Sequence, residues 1–275
     1  MKIVCLVENT EGTAGCGTEH GLSLYVETDR HRLLMDTGAS DLLLRNAEKK
    51  NIDLRQVDTV ILSHGHSDHG GGIASFAGIN PTAKIYMQAS AEGAYYAHHQ
   101  IEQEPNYIGL APEIRELPQI VRIQGDAVID EELSLFSGVV DERPVPASNR
   151  PLKEKLDGDY IQDAFRHEQY LVIRQGEKRV LFSGCGHHGI RNILSRYRKL
   201  FGTEPDAVIS GFHLLQRNGY TEEDFREITD TAHELAGYRT VFYTGHCTGD
   251  RPFEMMKQIL GDQINYLHCG DELEL

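Results

Sequence analysis

At 275 residues with 40% hydrophobic content, the chain can bury a substantial core, and its formal net charge of −15 gives a surface that repels nucleic-acid backbones and anionic lipid. No uncharged stretch approaches the length of a membrane span, and the apolar run that opens "MKIVCLVENT" is too short for a signal-peptide core. Cys5, Cys16, Cys185, Cys247 and Cys269 make an odd set with no C-x-x-C pair, which argues against a disulfide framework or a zinc ribbon and for a reducing, cytoplasmic setting.

In chain order, Lys2–Val7, Leu22–Glu27 and Arg32–Met35 read as strands, and Asp41–Lys50 as a helix that Ser40 can cap. Thr59–Leu62 is a short strand running into "SHGHSDHGGG"; Lys84–Met87 reads as a strand and Ala89–His99 as a helix. From about residue 95 to 166 the prolines at 105, 112, 118, 144, 146 and 151 interrupt any long periodicity, and only Ile120–Ile123 and Leu133–Phe136 emerge as strands. The polar run "DERPVPASNRPLKEKLDGDY" predicts a long surface loop, read as a lid over a functional edge or as a disordered insertion. Strands Tyr170–Arg174, Arg179–Phe182, Ala207–Ile209, Thr240–Tyr243 and Ile264–Leu267 follow, interleaved with helices Ile190–Phe201, Glu222–Ala236 (Thr221 as cap) and Phe253–Leu260. The basic residues between Arg191 and Lys199 sit at helical spacing and read as a solvated helix face rather than a nucleic-acid surface.

A pattern-level repeat organises these elements. "LYVETDRHRLLMDTG" and "LVIRQGEKRVLFSGCG" each give a strand, a charged turn, a second strand and a glycine-bearing loop; each leads through a helix to a further strand, in "DTVILSHGH" and "DAVISGFHL". One domain of two similar halves, sheets inside and helices outside, would bring Asp36, His64, Cys185, His187 and His213 to a common edge.

Residues 64–69 concentrate metal-competent side chains at that edge. His64 and His66, one residue apart at a strand end, can turn toward one ion, and Asp68 and His69, after the chain curls, toward a second. Gly70, Gly71 and Gly72 read as positions where the backbone bends around the ions into a helix. "LFSGCGHHGI" and "VFYTGHCTG" place Cys185, His187 and His246 at further strand ends as additional ligand candidates. His213 is a candidate for substrate contact or proton donation, or else a buried structural histidine. Asp36 either accepts a hydrogen bond from a ligand imidazole or starts a turn, and His20 lies in a loop that can reach the edge. His98, His99, His31, His167, His188, His233 and His268 carry no such signal.

The segments "VENT", "EHGLSLYVET", "LLMDTG", "ILSHGHSDHGGG", "FSGCGHHGIRNIL", "SGFHLL" and "GHCTG" together resemble the metallo-β-lactamase superfamily, in the branch labelled after dihydropterin ribofuranosylaminobenzene phosphate synthase. The resemblance spans nearly the whole chain outside residues 95–166 and implies a four-layer αββα sandwich over residues 1–275, with those residues as a variable insertion or lid. It implies one metal site of His64, His66 and His187 and another of Asp68, His69 and His246. Many members place a bridging aspartate where this chain has Cys185, so Cys185 itself, or water alone, would stand between the metals. The expectation is a metal-dependent hydrolase using two divalent ions, zinc first and iron or manganese next, to activate water against a small phosphorylated or ester-bearing metabolite. Asp68 and His213 are its catalytic candidates, with Arg191 or His213 receiving the anionic substrate. The branch name implies instead a synthase joining a pterin diphosphate to an aminobenzene riboside phosphate with release of pyrophosphate, and a non-catalytic metal-containing sensor is a third expectation. Neither nucleic acid nor membrane is an expected partner.

Overall fold

The structure, a computed structural model, describes residues 1–12, 15–98 and 104–275. Strands β1 (Lys2–Val7), β2 (Ser23–Glu27) and β3 (Arg32–Met35) form an antiparallel meander. Helix α1 (Leu42–Lys49) then carries the chain to β4 (Thr59–Ile61), parallel to β3. The short α2 (Ser67–Gly70) and α3 (Ile73–Ile79) lead to β5 (Lys84–Gln88), parallel to β4. After the hairpin β6 (Tyr95–Ala97) and β7 (Asn106–Tyr107), β8 (Ile120–Ile123) joins β5 in parallel. Next come β9 (Ala127–Val128), β10 (Leu133–Phe136), the hairpin β11 (Leu152–Leu156) and β12 (Asp159–Gln162), then β13 (Tyr170–Gln175) and β14 (Lys178–Phe182). The chain closes with α4 (Ile190–Phe201), β15 (Ala207–Ile209), α5 (Glu222–Leu235), β16 (Val241–Thr244), α6 (Asp250–Leu260), β17 (Ile264–Tyr266) and β18 (Glu272–Glu274).

Two seven-stranded sheets result, ordered β18-β1-β2-β3-β4-β5-β8 and β17-β16-β15-β14-β13-β10-β9, with a small third sheet ordered β12-β11-β6-β7. Alternation along the strands divides the apolar residues between two faces. Ile3, Cys5, Leu24, Val26, Leu33 and Met35 meet Leu135, Leu171, Ile173, Val180 and Phe182 between the sheets. Val4, Leu6, Leu34 and Val60 face outward against Leu43, Ala47 and Phe76 of α1 and α3. Val172, Leu181 and Val208 pack on Ile193, Ile228 and Met256 of α4, α5 and α6. The layers are therefore helix, sheet, sheet, helix, the expected αββα arrangement.

The two halves repeat in register as well as in pattern. Asp36 N–H donates to Ile61 O and Ser183 N–H to Ile209 O, both at 2.9 Å, immediately beyond β3 and β14. Leu62 N–H to Tyr86 O and Ser210 N–H to Tyr243 O, both 3.0 Å, repeat the match one strand further on. Parallel strands gather their carboxyl ends along one edge, where ligands bind in open α/β sheets.

Two expectations change. Ala89–His99 is not a helix: Ala89–Glu92 makes one 3-10 turn, and Tyr95–Ala97 pairs with β11 and β7. The buried faces of Tyr95 and Ala97, two residues apart, find a sheet to cover, and that packing overrides an alanine-rich composition; His99 lies outside the described residues. The stretch 95–166 is shared out, because β8 and β10 are members of the two large sheets while β6, β7, β11 and β12 form the small one. No described helix is long and apolar enough to cross a membrane.

At the end of β3 remote from the converging strands, His31 clips the halves together. Its Nδ1 meets Asp58 at 2.9 Å and its Nε2 meets Asp130 at 2.7 Å, so both nitrogens donate and the ring is a cation. Burial acts against that charge, but the two carboxylates raise the His31 pKa above its ordinary value. A raised folded pKa gives stability that is full below the unfolded value of about 6.5 and is lost as pH rises through the folded one. His31→Gln is expected to remove that component. The stability gap between wild type and variant, measured by urea unfolding, should be larger at pH 6 than at pH 9, and a gap independent of pH would refute the clip.

Candidate metal centre

The loops that leave β4, β14, β15 and β16 at the shared edge deliver one side-chain cluster. β4 runs into Ser63, His64 and His66, and the α2 turn presents Asp68 and His69. β14 runs into Cys185 and His187, β15 into His213, and β16 into His246 and Cys247. Asp36, His213 and His246 adopt left-handed backbone angles (φ 60°, 47° and 51°), a conformation costly for non-glycine residues that must be held by surrounding contacts.

Two donor groups share one sulfur. Asp68, His69, Cys185 and His246 bring their ligand atoms within 4.8 Å of one another, and so do His64, Cys185 and His187. Cys185 Sγ is 3.1 Å from His69 Nε2, which puts it between the groups, where the resemblance expects a carboxylate. Burial and the neighbouring Cys247 push the Cys185 thiol pKa well above its ordinary value. His66 flanks the second group, with its ring centroid 4.6 Å from that of His64 and 5.1 Å from that of His187.

The hydrogen bonds fix which nitrogen of each ring is available. Asp36 Oδ2 accepts from His69 Nδ1 at 2.6 Å and from Ser63 Oγ at 2.7 Å, so the Ser63 oxygen is left to accept from His64 Nδ1 at 2.8 Å. Asn149 Oδ1 accepts from His187 Nδ1 at 2.9 Å while its Nδ2 donates to the His187 carbonyl at 2.7 Å. Asn9 grips His246 in the same two places, at 2.9 and 3.3 Å. Two buried glutamates complete the parallel: Glu168 accepts the backbone N–H of His187 at 2.8 Å and Glu8 that of His246 at 2.5 Å. Each of the four rings therefore spends Nδ1–H on a partner and turns Nε2 inward.

Those inward nitrogens meet at distances that suit a shared cation. His64 Nε2 lies 3.3 Å from His187 Nε2; burial, with the surrounding histidines, holds both pKa values well below ordinary, so two lone pairs face each other. His69 Nε2 lies 3.2 Å from His246 Nε2, with Asp68 Oδ2 at 3.4 Å from the latter. Burial disfavours charge on His246, but Asp68, Cys247 and Glu8 raise its pKa to about 9, so this half of the site also selects a positive charge. Buried imidazoles, a thiol and one carboxylate suit zinc, iron or manganese, and the donor set fits divalent metal.

The remaining expected residues fall at the margins. His20, half exposed, stands 3.5 Å from Asp68 Oδ2 through Nε2, and burial together with His246 lowers its pKa to about 4. His213 lies against His187, with ring centroids 4.2 Å apart and planes tilted by 55°; Ser148 Oγ donates to its carbonyl, so the His213 Nδ1–H donates to that oxygen at 2.6 Å. Burial and the neighbouring histidines lower its pKa to about 3, so His213 is neutral and carries no proton on Nε2 to donate. Arg191 is not at the site: it lies 3.8 Å from Glu234 and lines a different depression. Gly71 and Gly72 have right-handed helical angles and do not bend the chain around ions. Added Cβ atoms there would come within 2.3 Å of Ala39 O and Thr37 O, so the glycines let α2 pack against the loop after β3. Glu8, Asn9, Asn149, Glu168 and Asp163 escaped the sequence reading and His167 was set aside, because nothing local marks a residue whose partner lies 19 positions off, as for Glu168, 38, as for Asn149, or 237 and 238, as for Asn9 and Glu8.

The cluster floors a cleft of about 220 Å³. Ala97, Ile108 and Leu152 of the small sheet and its flanks form one wall, and Leu215, Gln216, Arg217 and Asn218 another. Arg217 is exposed and has no ion-pair partner among the described residues.

Residues 16–141 match the family described as Metallo-beta-lactamase superfamily. The chain is 27% identical over 295 residues to a Methanocaldococcus jannaschii protein named 7,8-dihydropterin-6-methyl-4-(beta-D-ribofuranosyl)-aminobenzene-5'-phosphate synthase, covering 98% of this chain and 95% of that one. An uncharacterized protein of the same organism is 26% identical, covering 92% of each chain. Among solved structures, one titled a metal-dependent hydrolase of the beta-lactamase superfamily superposes with a TM-score of 0.83 at 28% identity, covering 100% of this chain and 99% of that chain. Zinc-bound PqqB from Methylobacterium extorquens has a TM-score of 0.56 at 15% identity, with full coverage of both chains, a likeness of fold.

Proposed function

On the premise that this chain carries a metallo-beta-lactamase superfamily domain and has that fold throughout, we propose that it hydrolyses a small phosphorylated or ester-bearing metabolite with two divalent metal ions, zinc first. His64, His66 and His187 would hold one ion and Asp68, His69 and His246 the other, with Cys185 between them. One observation carries the reading: four imidazoles, each tied down through Nδ1, aim Nε2 at one another across 3.2 and 3.3 Å. When bound, such a pair supplies a Lewis acid for a phosphoryl or carbonyl oxygen and a water made nucleophilic at neutral pH.

The chain's own groups do the rest. Asn9, Asn149, Asp36 and Ser63 fix the rings, so little reorganisation accompanies the reaction. Asp68, partly open to the cleft, stays a carboxylate: burial raises its pKa, but His69 and His246 hold it well below ordinary. It can orient water or receive its proton. Neutral His213 accepts a hydrogen bond from substrate, and Arg217 offers positive potential at the mouth of a protein whose net charge is −15. A cytoplasmic protein of one domain completes the proposal, in keeping with five free cysteines.

The test is metal analysis of protein purified without added metal, then a screen across phosphoesters, lactones and thioesters. Turnover is expected to vanish in chelator and return with zinc or manganese. Full metal loading with tight ligand binding and no turnover would instead mark a sensor. The synthase reading has its own support in the 27% identity that runs the length of both chains. Pyrophosphate release that requires a pterin diphosphate and an aminobenzene riboside phosphate together would establish it over hydrolysis.

A further inference from the structure

Outside the two donor groups, a third buried cluster touches only one of them. His66, Asp163 and His167 bring donor atoms within 4.8 Å of one another, and all three are buried. Taken alone, the trio has the composition of another metal site, but its hydrogen bonds exclude that. Gly65 N–H donates to His167 Nδ1 at 3.0 Å, so His167 Nδ1 is an acceptor and Nε2 carries the proton. That proton goes to Asp163 Oδ2 at 3.0 Å. His167 therefore has no lone pair left for a metal.

Asp163 in turn has both oxygens assigned. Oδ1 accepts the Phe165 N–H at 2.7 Å, a local turn that holds the carboxylate still. Oδ2, held by His167, stands 3.8 Å from His66 Nε2, a buried nitrogen with no hydrogen-bond partner among the described residues. His66 is thus the one histidine of the expected ligand set whose outward nitrogen awaits its acceptor, and Nδ1 is the nitrogen it has left for a cation. Between Asp163 and His167, Phe165 lies flat on the His187 ring, with centroids 4.3 Å apart and planes 6° apart, and holds a left-handed φ of 49°. Tyr95, on β6 of the small sheet, backs His167 at 3.9 Å.

We propose that Asp163, Phe165 and His167 form a clamp that positions His66 and His187, through which the small sheet governs metal occupancy of the His64/His66/His187 site and leaves the Asp68/His69/His246 site alone. Asp163 is the positioning residue: its carboxylate accepts the His66 Nε2–H once Nδ1 is engaged. The inference rests on the proposed two-metal reading, and its test separates the two.

Zinc or cobalt binding is measured by equilibrium dialysis on wild type, Asp163→Asn and His167→Gln, with thermal unfolding of each metal-free protein alongside. Asp163→Asn keeps the side-chain shape and one oxygen for the Phe165 turn, but sets an amide where the carboxylate faced His66. The expected result is two sites in wild type and, in Asp163→Asn, a 10- to 100-fold weaker affinity at one site only, the range typical for lost partners of ligand histidines. The cobalt spectrum of the weakened site should change, with the other unchanged. Should Asp163→Asn prove unstable, His167→Gln, which releases Asp163 from its second tether, is read in the same way. Wild type that binds no metal refutes the proposed function. Wild type with two sites whose affinities both survive, or both fall together, in the variants refutes the clamp alone.

Discussion

Asp68→Ala is expected to give a folded protein that holds less than its full metal complement and has lost hydrolysis by roughly 10²- to 10⁴-fold, the range for removing a positioned proton-transfer group. Among the described residues the carboxylate accepts no backbone hydrogen bond that organises the α2 turn; its neighbours are His246 at 3.4 Å, His20 at 3.5 Å and His69 at 3.7 Å. Its removal therefore spares the fold while taking the one carboxylate from a donor group otherwise made of imidazoles and a thiol. A second readout follows from electrostatics. Asp68 is a main reason the His246 pKa is raised to about 9, so in metal-free Asp68→Ala that pKa should drop, a change visible in the histidine signals of an NMR pH titration. Metal content equal to wild type would remove Asp68 from the ligand set.

Asp36→Ala is expected to cost stability as well as metal. This carboxylate is fully buried at a left-handed position and accepts three hydrogen bonds, from Ser63 N at 2.7 Å, Ser63 Oγ at 2.7 Å and His69 Nδ1 at 2.6 Å. Alanine leaves those donors unsatisfied in a dry interior. The expected loss is about 3–5 kcal/mol, in the range for breaking a buried charged network, with a fall in Tm on the order of 10 °C. Because Ser63 Oγ would no longer be committed to Asp36, it could donate to His64 Nδ1 and turn that ring's proton toward the metal side. Both metal affinities should fall, through His69 at one site and His64 at the other. Asp36→Asn separates the effects: its amide can still accept from some of these donors, so thermal unfolding should recover much of the stability while metal binding does not recover. Normal metal binding in both variants would reduce Asp36 to a turn residue.

How far the sequence reached can be judged from these residues. The spacing of His64, His66, Asp68 and His69 after an apolar strand marked the candidate site, because metal-competent side chains packed at a strand end leave a local signature. The paired patterns around "LLMDTG" and "LFSGCG" likewise anticipated two sheets in register, since strand alternation and glycine turns are short-range properties. His187 and His246 were legible for the same reason, each flanked by glycines at the end of a strand.

What only the tertiary structure decided is everything that depends on a partner far along the chain. Asn9 meets His246 across 237 positions, and Cys185 meets His69 across 116. Asp163, inside the stretch read as an insertion or lid, faces His66, and His167, set aside as an ordinary histidine, holds Asp163 in place. The fate of Arg191, turned to Glu234 and away from the cleft, also follows from which face of α4 the core claims. Local composition sets which strands and helices form and which side chains can bind a metal. Which nitrogen of each ring points inward is fixed by the hydrogen-bond acceptor on its other side, and folding alone brings that acceptor there.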